Sequence, residues 1–446
     1  MRFAIACSLL LLAASRAEAQ QPTPSAPAGV TLADLERLAM ENNPTARAAQ
    51  ASIDAARGRA RQAGAWPNPV IGASADEIPL GDTDPRGAYG VFAEQPILLG
   101  GKLRLGRAVF ERAIERSEAE RDLQRQRILS TVRRVFYQAL TVERRIEVQE
   151  RLAALASEAV TITAQLFNVG AADRPDFLES EIEARRVQLD LNAAKNRYFA
   201  LRQQLAAVIG NADVAARPLR GSLDQALPEL VRTTALRTLL EQSPQIRAGR
   251  AEVARTQAVT AFERRVTFPD LFLRGGLARN REIGEISGRP IGWQASIEAG
   301  VSVPLFNRNA GGVAAARAEE LRAQAELQRL ELSLQAGLAS EFASYLTALN
   351  DSEAYRTEIL PRAEEAYRLY LARYREMAAA YPQVLIAQRN LFELSTRYLQ
   401  SVEDGWQAAL RIQGFLAGDG LQSSGGADAG ADGIGMSNTG ERGGRP

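Results

Sequence analysis

The stretch WQASIEAGVSV, at residues 293–303, alternates apolar and polar side chains along its whole length. Its apolar members are Trp293, Ala295, Ile297, Ala299, Val301 and Val303. A period of two predicts a β-strand with one apolar and one polar face. At about 3.3 Å per residue the stretch extends roughly 36 Å, which is enough to cross a bilayer when tilted. We therefore predict a membrane-spanning strand at 291–303.

Weaker versions of this pattern predict three further strands, at 68–78, 88–97 and 271–280. A sheet inside a membrane must have no free edge, because each unpaired backbone group in hydrocarbon costs several kcal/mol. Four strands are too few to close, since the smallest common barrels have about eight. The barrel is therefore predicted to be shared between chains. Two chains would supply eight strands and three would supply twelve, and strand number alone does not choose between them.

The strands belong to a unit that occurs twice, about 200 residues apart, which is far longer than a solenoid repeat. The matched pairs are Asn43-Pro44 with Ser243-Pro244, AWP at 65–67 with TFP at 267–269, QPIL at 95–98 with VPLF at 303–306, Phe167 with Tyr374, and Pro175 with Pro382. We predict two tandem structural repeats, 31–209 and 231–417, joined by a linker at 210–230. Each repeat contains a helix, two strands and a long helical hairpin.

The hairpin helices are predicted to be unusually long. No proline or glycine interrupts residues 107–169, and about 60 residues would extend on the order of 90 Å as one helix. Apolar residues from Ile128 to Ile146 recur in steps of four and three, which is typical of a coiled-coil seam. In the second repeat Pro361 stands where the first has Ala154, and proline should kink or break the helix there.

The two ends of the chain are predicted to have other roles. Residues 1–19 have the layout of a signal peptide, with an apolar run and an A-x-A cleavage site, so the chain is expected to be exported. The single cysteine, Cys7, lies within this leader, and no lipid is expected on it. An extended, proline-rich strap is predicted at 20–30, followed by a helix that opens with a capping box at Thr31. The Gly-, Asp- and Ser-rich residues 418–446 are predicted to form a disordered tail.

Composition argues against several classes of function. The net charge of +1, from 54 basic and 53 acidic residues, disfavours a nucleic-acid partner. After the leader the chain contains neither cysteine nor histidine, so no metal site and no cofactor are expected. For the same reason no Ser/His/Asp or Cys/His set can be assembled, and the protein is not expected to be an enzyme.

Three short motifs match a known family. They are WPNP at 66–69, QPILLGGK at 95–102 and FNVG at 167–170, in a match that covers about 31–417. Together they resemble the outer-membrane efflux protein family of TolC-like channels, and most of all its heavy-metal cation branch. The resemblance implies an α+β membrane protein that forms a homotrimer. It implies a shared transmembrane β-barrel of twelve strands, four from each chain, continued through the periplasm by a long α-helical barrel.

The resemblance also implies a function and partners. The protein would be the outer-membrane channel of a tripartite efflux system, a passive exit duct that receives substrates from a periplasmic adaptor protein and an inner-membrane pump of the resistance-nodulation-division type. A periplasmic coiled-coil scaffold or tether without a channel is the alternative, and it leaves the alternating strands unexplained. The residues do not distinguish metal cations from drugs or other solutes as cargo.

The turns between the hairpin helices, at 167–176 and 374–383, are the periplasmic tips and adaptor contacts that the resemblance implies. The candidate contact residues are Phe167, Asn168, Val169, Gly170, Asp173, Pro175, Tyr374, Met377, Tyr381 and Pro382. Gly170 suits a left-handed helix end and Pro175 a first helical turn, and chain reversal alone is the alternative explanation. Met377 stands where the first repeat has Gly170, so a left-handed end is not expected there, and the helix is predicted to continue toward Tyr381.

Charged residues near both tips are candidates for a gate. Asp173 or Asp176 of one hairpin could pair with Arg373 or Arg375 of a neighbour and hold the mouth narrow. Exposed pairs are weak, at about 0 to 1 kcal/mol each, so a ring of them would be needed. Solvated surface charge is the alternative explanation.

Two glutamates are candidates for the lining of the channel. Glu94 and Glu298 lie on the polar side of their predicted strands, where they would face the lumen. They would either tune cation preference or simply be hydrated.

Overall fold

The computed structural model describes residues 29–78, 87–223, 227–283 and 290–422. The predicted signal peptide, most of the predicted strap and most of the predicted tail lie outside these ranges. Helices dominate the described part of the chain. None of the helices in that part is long and apolar enough to cross a membrane.

Two helices, two strands and a long helical hairpin follow one another on each side of the linker. In chain order the helices are α1 (Leu32–Asn42), α2 (Pro44–Ala63), α3 (Lys102–Asn168), α4 (Arg174–Ile209), α5 (Arg232–Gln242), α6 (Pro244–Val266), α7 (Ala310–Ala354), α8 (Leu360–Arg375) and α9 (Tyr381–Gln413). The strands are β1 (Val30–Thr31), β2 (Val70–Asp76), β3 (Ala88–Ile97), β4 (Leu219–Arg220), β5 (Asp270–Ile283) and β6 (Pro290–Ser302). β3 covers the residues predicted for it, whereas β2 is shorter and β5 longer than predicted.

The first predicted helix is in fact two helices, because Asn43 and Pro44 interrupt it. Asn43 has an extended backbone with ψ of 124°, and Pro44 lacks the N–H that a continuing helix would need. The Asn43 side chain accepts a hydrogen bond from the Thr45 N–H at 2.8 Å and donates one to the Val208 carbonyl at 2.6 Å. The break therefore caps α2 and ties it to the end of α4. The capping box at Thr31 that opens α1 is present.

α3 runs for 67 residues without a break, which corresponds to about 100 Å. Its length agrees with the lack of helix breakers in this part of the sequence. The residues of the predicted seam that are buried against α1 and α4 are Ile128, Val132, Val135, Ala139 and Val142. Each such side chain contributes roughly 1.5–3 kcal/mol when it is fully buried. The seam therefore holds α1 and the two helices of the first hairpin together.

The second long helix is interrupted near Pro361, as predicted. α7 ends at Ala354, a π-helical turn follows at Tyr355–Ile359, and α8 has Pro361 in its first turn. Because proline has no N–H, the carbonyl of Thr357 loses its α-helical partner four residues on. The wider π-helical turn is the local adjustment to this loss.

One antiparallel sheet contains the four long strands in the order β2-β3-β5-β6. The register places Val91 opposite Leu277 and Leu277 opposite Ala295, so apolar side chains share one face. The large exposed members of this apolar face are Ile71, Tyr89, Val91, Leu273, Leu277, Trp293, Ile297 and Val301. The opposite, polar face carries Glu94, Arg274 and Glu298 in one row.

The prediction of disorder from residue 418 is wrong for residues 418–422, because the chain after α9 packs on α3. The Gly420 N–H donates to Oγ1 of Thr131 at 2.9 Å, and the Gly420 carbonyl accepts from the Gln124 amide at 2.8 Å. A Cβ at position 420 would lie 2.9 Å from Cα of Ile128, so only glycine permits this approach. Tertiary contacts therefore order residues whose composition predicts disorder.

Candidate functional site at the hairpin tips

The tip of the first hairpin is a tight turn between α3 and α4. Gly170 has φ of +74°, and its N–H donates to the Phe167 carbonyl at 3.0 Å. The Ala171 N–H donates to the Leu166 carbonyl at 2.8 Å. This pair of bonds closes α3 with a left-handed residue, which glycine adopts without steric cost. The prediction of a left-handed helix end at Gly170 is confirmed.

The start of α4 is stabilised by a side-chain cap. Oδ1 of Asp173 accepts a hydrogen bond from the Asp176 N–H at 3.0 Å, and Pro175 lies in the first turn, as predicted. Burial raises the pKa of the Asp176 carboxyl, and repulsion from Asp173 and Glu179 adds to this. The Asp173 carboxylate is thus already engaged in a helix cap within its own chain.

The tip of the second hairpin has the same backbone geometry without the glycine. Met377 has φ of +57°, its N–H donates to the Tyr374 carbonyl at 3.0 Å, and the Ala378 N–H donates to the Arg373 carbonyl at 2.8 Å. The prediction that a left-handed end is absent here was wrong, and α8 ends at Arg375 instead of continuing. A non-glycine residue in this conformation costs about 1–2 kcal/mol. Surrounding packing must offset that cost.

A buried tyrosine cluster supplies this packing. The rings of Tyr374 and Tyr381 lie 5.6 Å apart, centroid to centroid, and bracket the turn. The cluster, which also joins α3 of the first hairpin to the second hairpin, consists of Leu166, Tyr367, Leu371, Tyr374, Tyr381, Val384, Leu385, Ala387 and Leu391. Tyr381 is only 1% exposed, so neither it nor Tyr374 lies on the surface as predicted contact residues should. Their role within one chain is to hold the turn.

The tyrosine hydroxyl groups of this cluster are buried. Burial raises the pKa of Tyr367 to about 12 and raises that of Tyr381 as well. Neither buried hydroxyl finds a hydrogen-bond partner within the described ranges. A buried polar group without a partner costs roughly 1–3 kcal/mol. The buried hydroxyls therefore make the tip less stable than the same packing would be without them.

Each tip exposes apolar side chains. Val169 of the first tip is 72% exposed and Met377 of the second is 69% exposed, and Phe167 of the first tip stacks on Phe177 with ring centroids 6.0 Å apart. Asn168, Gly170, Asp173, Pro175 and Pro382 are also exposed. Of the predicted contact residues, these are the ones that a partner protein can reach.

The predicted gate arginines have different surroundings from those expected. Arg375 pairs with Glu158 of α3 in the same chain, and both side chains are about half exposed. Arg373 is exposed beside it. Glu158 was missed because 217 residues separate it from Arg375 and no local pattern links them. The gate aspartates thus lie at the first tip and the gate arginines at the second, and within the described ranges no ion pair joins the two sets in one chain.

The comparison with known proteins agrees with this arrangement. The family profile described as outer membrane efflux protein matches residues 35–211 and 235–417, one segment on each side of the linker. The chain belongs to the outer membrane efflux protein family. It is an outer-membrane efflux channel, with its long helices extending into the periplasm.

Several known proteins are similar to this chain along most of its length. The cobalt-zinc-cadmium resistance protein CzcC of Cupriavidus metallidurans is 28% identical over 387 residues, which cover 87% of this chain and 90% of that protein. The nickel-cobalt-cadmium resistance protein NccC of Alcaligenes xylosoxydans xylosoxydans is 27% identical over 340 residues, covering 75% and 73% of the two chains. The outer-membrane channel OprN shares the fold, with a TM-score of 0.74 at 18% identity over 88% of this chain and 91% of that one.

Two buried carboxylates connect the hairpins of this outer membrane efflux protein. Glu183 of α4 pairs with Arg389 of α9 at 2.9 Å, and Glu403 of α9 pairs with Arg197 of α4 at 3.2 Å. Both carboxylates are almost fully buried, whereas the arginines are about half exposed. Burial raises the pKa of Glu403, and attraction to Arg197 opposes that rise. Sequence reasoning missed these pairs because each joins residues more than 200 positions apart.

The predicted lumen residues lie on one face of the sheet. Glu94 and Glu298 are both directly opposite Arg274, one on each side, and Arg274 was not singled out from the sequence. The positions of Glu94 and Glu298 in their strands agree with the predicted polar face. Within the described ranges, no group of three or more acidic residues is arranged to hold a metal ion.

Proposed function

We propose that this outer-membrane efflux protein works as a homotrimer whose sheets join into one closed barrel of twelve strands. The observation that carries the proposal is the four-stranded sheet with a largely apolar face and two edge strands, β2 and β6. Unpaired edge groups are costly in lipid, so β2 of one copy must pair with β6 of the next. Three copies of four strands give twelve, the number that the family resemblance implies.

The helices support the same assembly. α3, at about 100 Å, is long enough to continue the barrel far into the periplasm. Two helices at opposite edges of the helical layer expose apolar side chains: α4 has Leu178, Ile182, Leu189 and Phe199, and α7 has Leu321, Leu332 and Leu346. Exposed apolar stripes of this kind are typical of surfaces that another chain covers. We infer that α4 of one copy packs on α7 and α8 of its neighbour.

The tips are the proposed contact with a periplasmic adaptor protein. The exposed apolar residues Val169 and Met377, with Phe167, supply the contact surface, and Asn168, Pro175 and Pro382 surround it. An inner-membrane pump of the resistance-nodulation-division type would deliver substrate through that adaptor. The channel itself performs no covalent chemistry.

The gate proposal concerns pairs between copies. Asp173 or Asp176 of one copy would meet Arg373 or Arg375 of the next, in competition with Glu158, which already holds Arg375 within its own chain. Each exposed pair contributes about 0 to 1 kcal/mol, so a ring repeated by threefold symmetry is needed to bias the mouth toward closure. Adaptor binding at the tips would then re-aim the helices and separate these pairs.

Divalent heavy-metal cations are the proposed cargo. The two curated relatives are named for resistance to cobalt, zinc, cadmium and nickel. The exported chain contains no histidine or cysteine that would retain such ions, which suits a passive duct. Deleting the gene should raise cell-associated cobalt, zinc or cadmium after a metal challenge; equal metal content with and without the gene would contradict the cargo assignment. A coiled-coil tether is disfavoured because it has no use for an apolar sheet face.

The assembly can be tested with two matched variants. Ile297→Asp places a charge on the apolar face, and Ser296→Asp places the same charge on the polar face of the same strand. We expect Ile297→Asp to prevent formation of heat-modifiable trimers in outer-membrane extracts and Ser296→Asp to permit it, because a charge facing lipid costs a few kcal/mol near the bilayer centre. Purified wild-type trimers should conduct ions in planar bilayers. A soluble protein without conductance would refute the proposal.

A further inference from the structure

The row of charges on the polar face contains an arginine as well as the two glutamates. Arg274 of β5 lies directly between Glu94 of β3 and Glu298 of β6. Within the described part of the chain neither glutamate forms an ion pair, with Arg274 or with any other residue. The row therefore combines two carboxylates with one guanidinium.

The guanidinium of Arg274 is held on the same face over the ring of Phe92, two residues along β3 from Glu94. Its Cζ atom lies 3.7 Å from the centroid of the Phe92 ring, which is a close cation–π contact. Phe92 in turn covers Gly72, where an added Cβ would lie only 2.6 Å from the ring. The glycine lets the ring lie flat, and the ring keeps the guanidinium against the sheet. The positive charge is therefore fixed in the row and does not move freely on a flexible side chain.

The row lies near the end of the strands that leads into the long helices. Glu94 lies three residues before the end of β3, on the side that leads into α3. In the proposed trimer, on which this inference rests, the row occurs three times around the helical end of the barrel. Each copy contributes a net charge of −1.

We propose that Arg274 is a specificity-determining residue of the channel. Because Phe92 holds its charge on the same face beside the two glutamates, it offsets half of their negative charge and so limits the preference of the pore for cations. A channel without this arginine would attract cations more strongly and would release them more slowly. The residue thus sets a balance between attracting a cationic substrate and letting it leave.

The expected size of the effect follows from Coulomb's law. One unit charge at about 10 Å in water changes the local concentration of a monovalent ion roughly two-fold. Three copies act together, while salt at 0.1 M screens over about 10 Å. Removing the charge should therefore raise the K⁺/Cl⁻ permeability ratio by on the order of three-fold at 0.1 M, and by much less at 1 M, where the Debye length is about 3 Å.

The test is the reversal potential of single trimers in planar bilayers under a KCl gradient. Arg274→Gln should raise the permeability ratio, whereas Arg279→Gln should leave it unchanged. Arg279 is the matched control because it lies on the same strand but on the opposite face, in register with Tyr89 and Trp293. If Arg274→Gln does not assemble, Glu94→Gln and Glu298→Gln test the same row, and each should lower the ratio.

The outcomes separate this inference from the proposed function. Conducting trimers with the same reversal potential in wild type, Arg274→Gln and both glutamate variants would overturn the role of Arg274 while leaving the duct intact. Wild-type protein that assembles but conducts nothing would overturn the duct and this inference together. A shift at 0.1 M that disappears at 1 M would support the electrostatic explanation.

Discussion

Exchanging the residues at the left-handed positions of the two tips should exchange their local stabilities. Met377 and Gly170 occupy equivalent turns, with φ of +57° and +74° and the same pair of backbone hydrogen bonds. We therefore consider Met377→Gly and Gly170→Met as a reciprocal pair. The prediction is that the first tightens the second tip and that the second loosens the first tip.

The magnitude follows from two opposing terms. A left-handed conformation costs an L-residue about 1–2 kcal/mol, and glycine avoids this cost. Glycine loses more backbone freedom on ordering, which removes about 0.5–1 kcal/mol of the gain. Packing contributes little, because Met377 is 69% exposed and a Cβ at Gly170 would meet nothing within 4 Å. The net change is about 0.5–1 kcal/mol for each variant, which is roughly a two- to five-fold change in the local opening equilibrium.

Amide hydrogen exchange by mass spectrometry on purified protein measures this directly, because exchange in each tip reports local opening. Peptides covering 374–383 should exchange two- to five-fold more slowly in Met377→Gly, and peptides covering 167–176 correspondingly faster in Gly170→Met. Ala378→Gly is the matched control, since Ala378 does not have a positive φ. Glycine there relieves no strain and should speed exchange.

Two results would refute the reasoning. If Met377→Gly and Ala378→Gly changed exchange in the same direction and by the same amount, the left-handed strain at Met377 would not be real. If Gly170→Met left the first tip unchanged, the backbone conformation would not set its stability.

Three further predictions concern groups buried in the helices and at the sheet. Tyr381→Phe should stabilise the second tip by about 1 kcal/mol, because it removes a buried hydroxyl without a described partner; slower exchange at 374–383 would show it, and faster exchange would contradict it. Burial raises the pKa of Glu403 above 4.5, so the folded state holds that proton more tightly, and stability should fall as pH rises from about 4.5 through the raised value. Glu403→Gln should flatten that part of the Tm-against-pH curve, and an unchanged curve would exclude the assignment. Lys102 pairs with Asp270 at 2.7 Å, so Lys102→Met alone should lower the temperature at which trimers dissociate, and Lys102→Met with Asp270→Asn should recover part of the loss.

Features governed by local chemistry could be predicted well from the sequence. Alternation at 293–303 predicts a strand because side chains of a strand point alternately to two faces, and β6 covers nearly all of that stretch. The Thr31 capping box, the left-handed Gly170 and the interruption near Pro361 each depend on the conformational preferences of a few neighbouring residues. The break at Asn43 could have been predicted in the same way, since an Asn-Pro pair disfavours a continuous helix.

Other features depend on residues that are far apart in the chain. The left-handed turn at Met377 was missed although Tyr374 and Tyr381, which pack beside it, are near it in the sequence. Their burial depends on how α8 and α9 pack together and against Leu166 of α3. The partners of Arg375 and of Glu403 are likewise remote. Composition predicted disorder from Gly418 onward, yet Gly420 is ordered by hydrogen bonds to α3.

The sequence by itself determined the kinds of elements, the length of α3 and the resemblance to the family, because periodicity, caps and helix breakers act over a few residues. Only the tertiary structure decided which of the predicted tip residues are exposed and which charges meet. The sequence predicts both Tyr381 and Val169 as contact residues of the tips. Packing between hairpins buries Tyr381 and leaves Val169 at the surface. Arg274 acquires its place between Glu94 and Glu298 only through strand register, which pairs residues 180 and 24 positions away from it. Such distances carry no local signal, so the surface for a partner and the charge row of the channel emerge only in the folded chain.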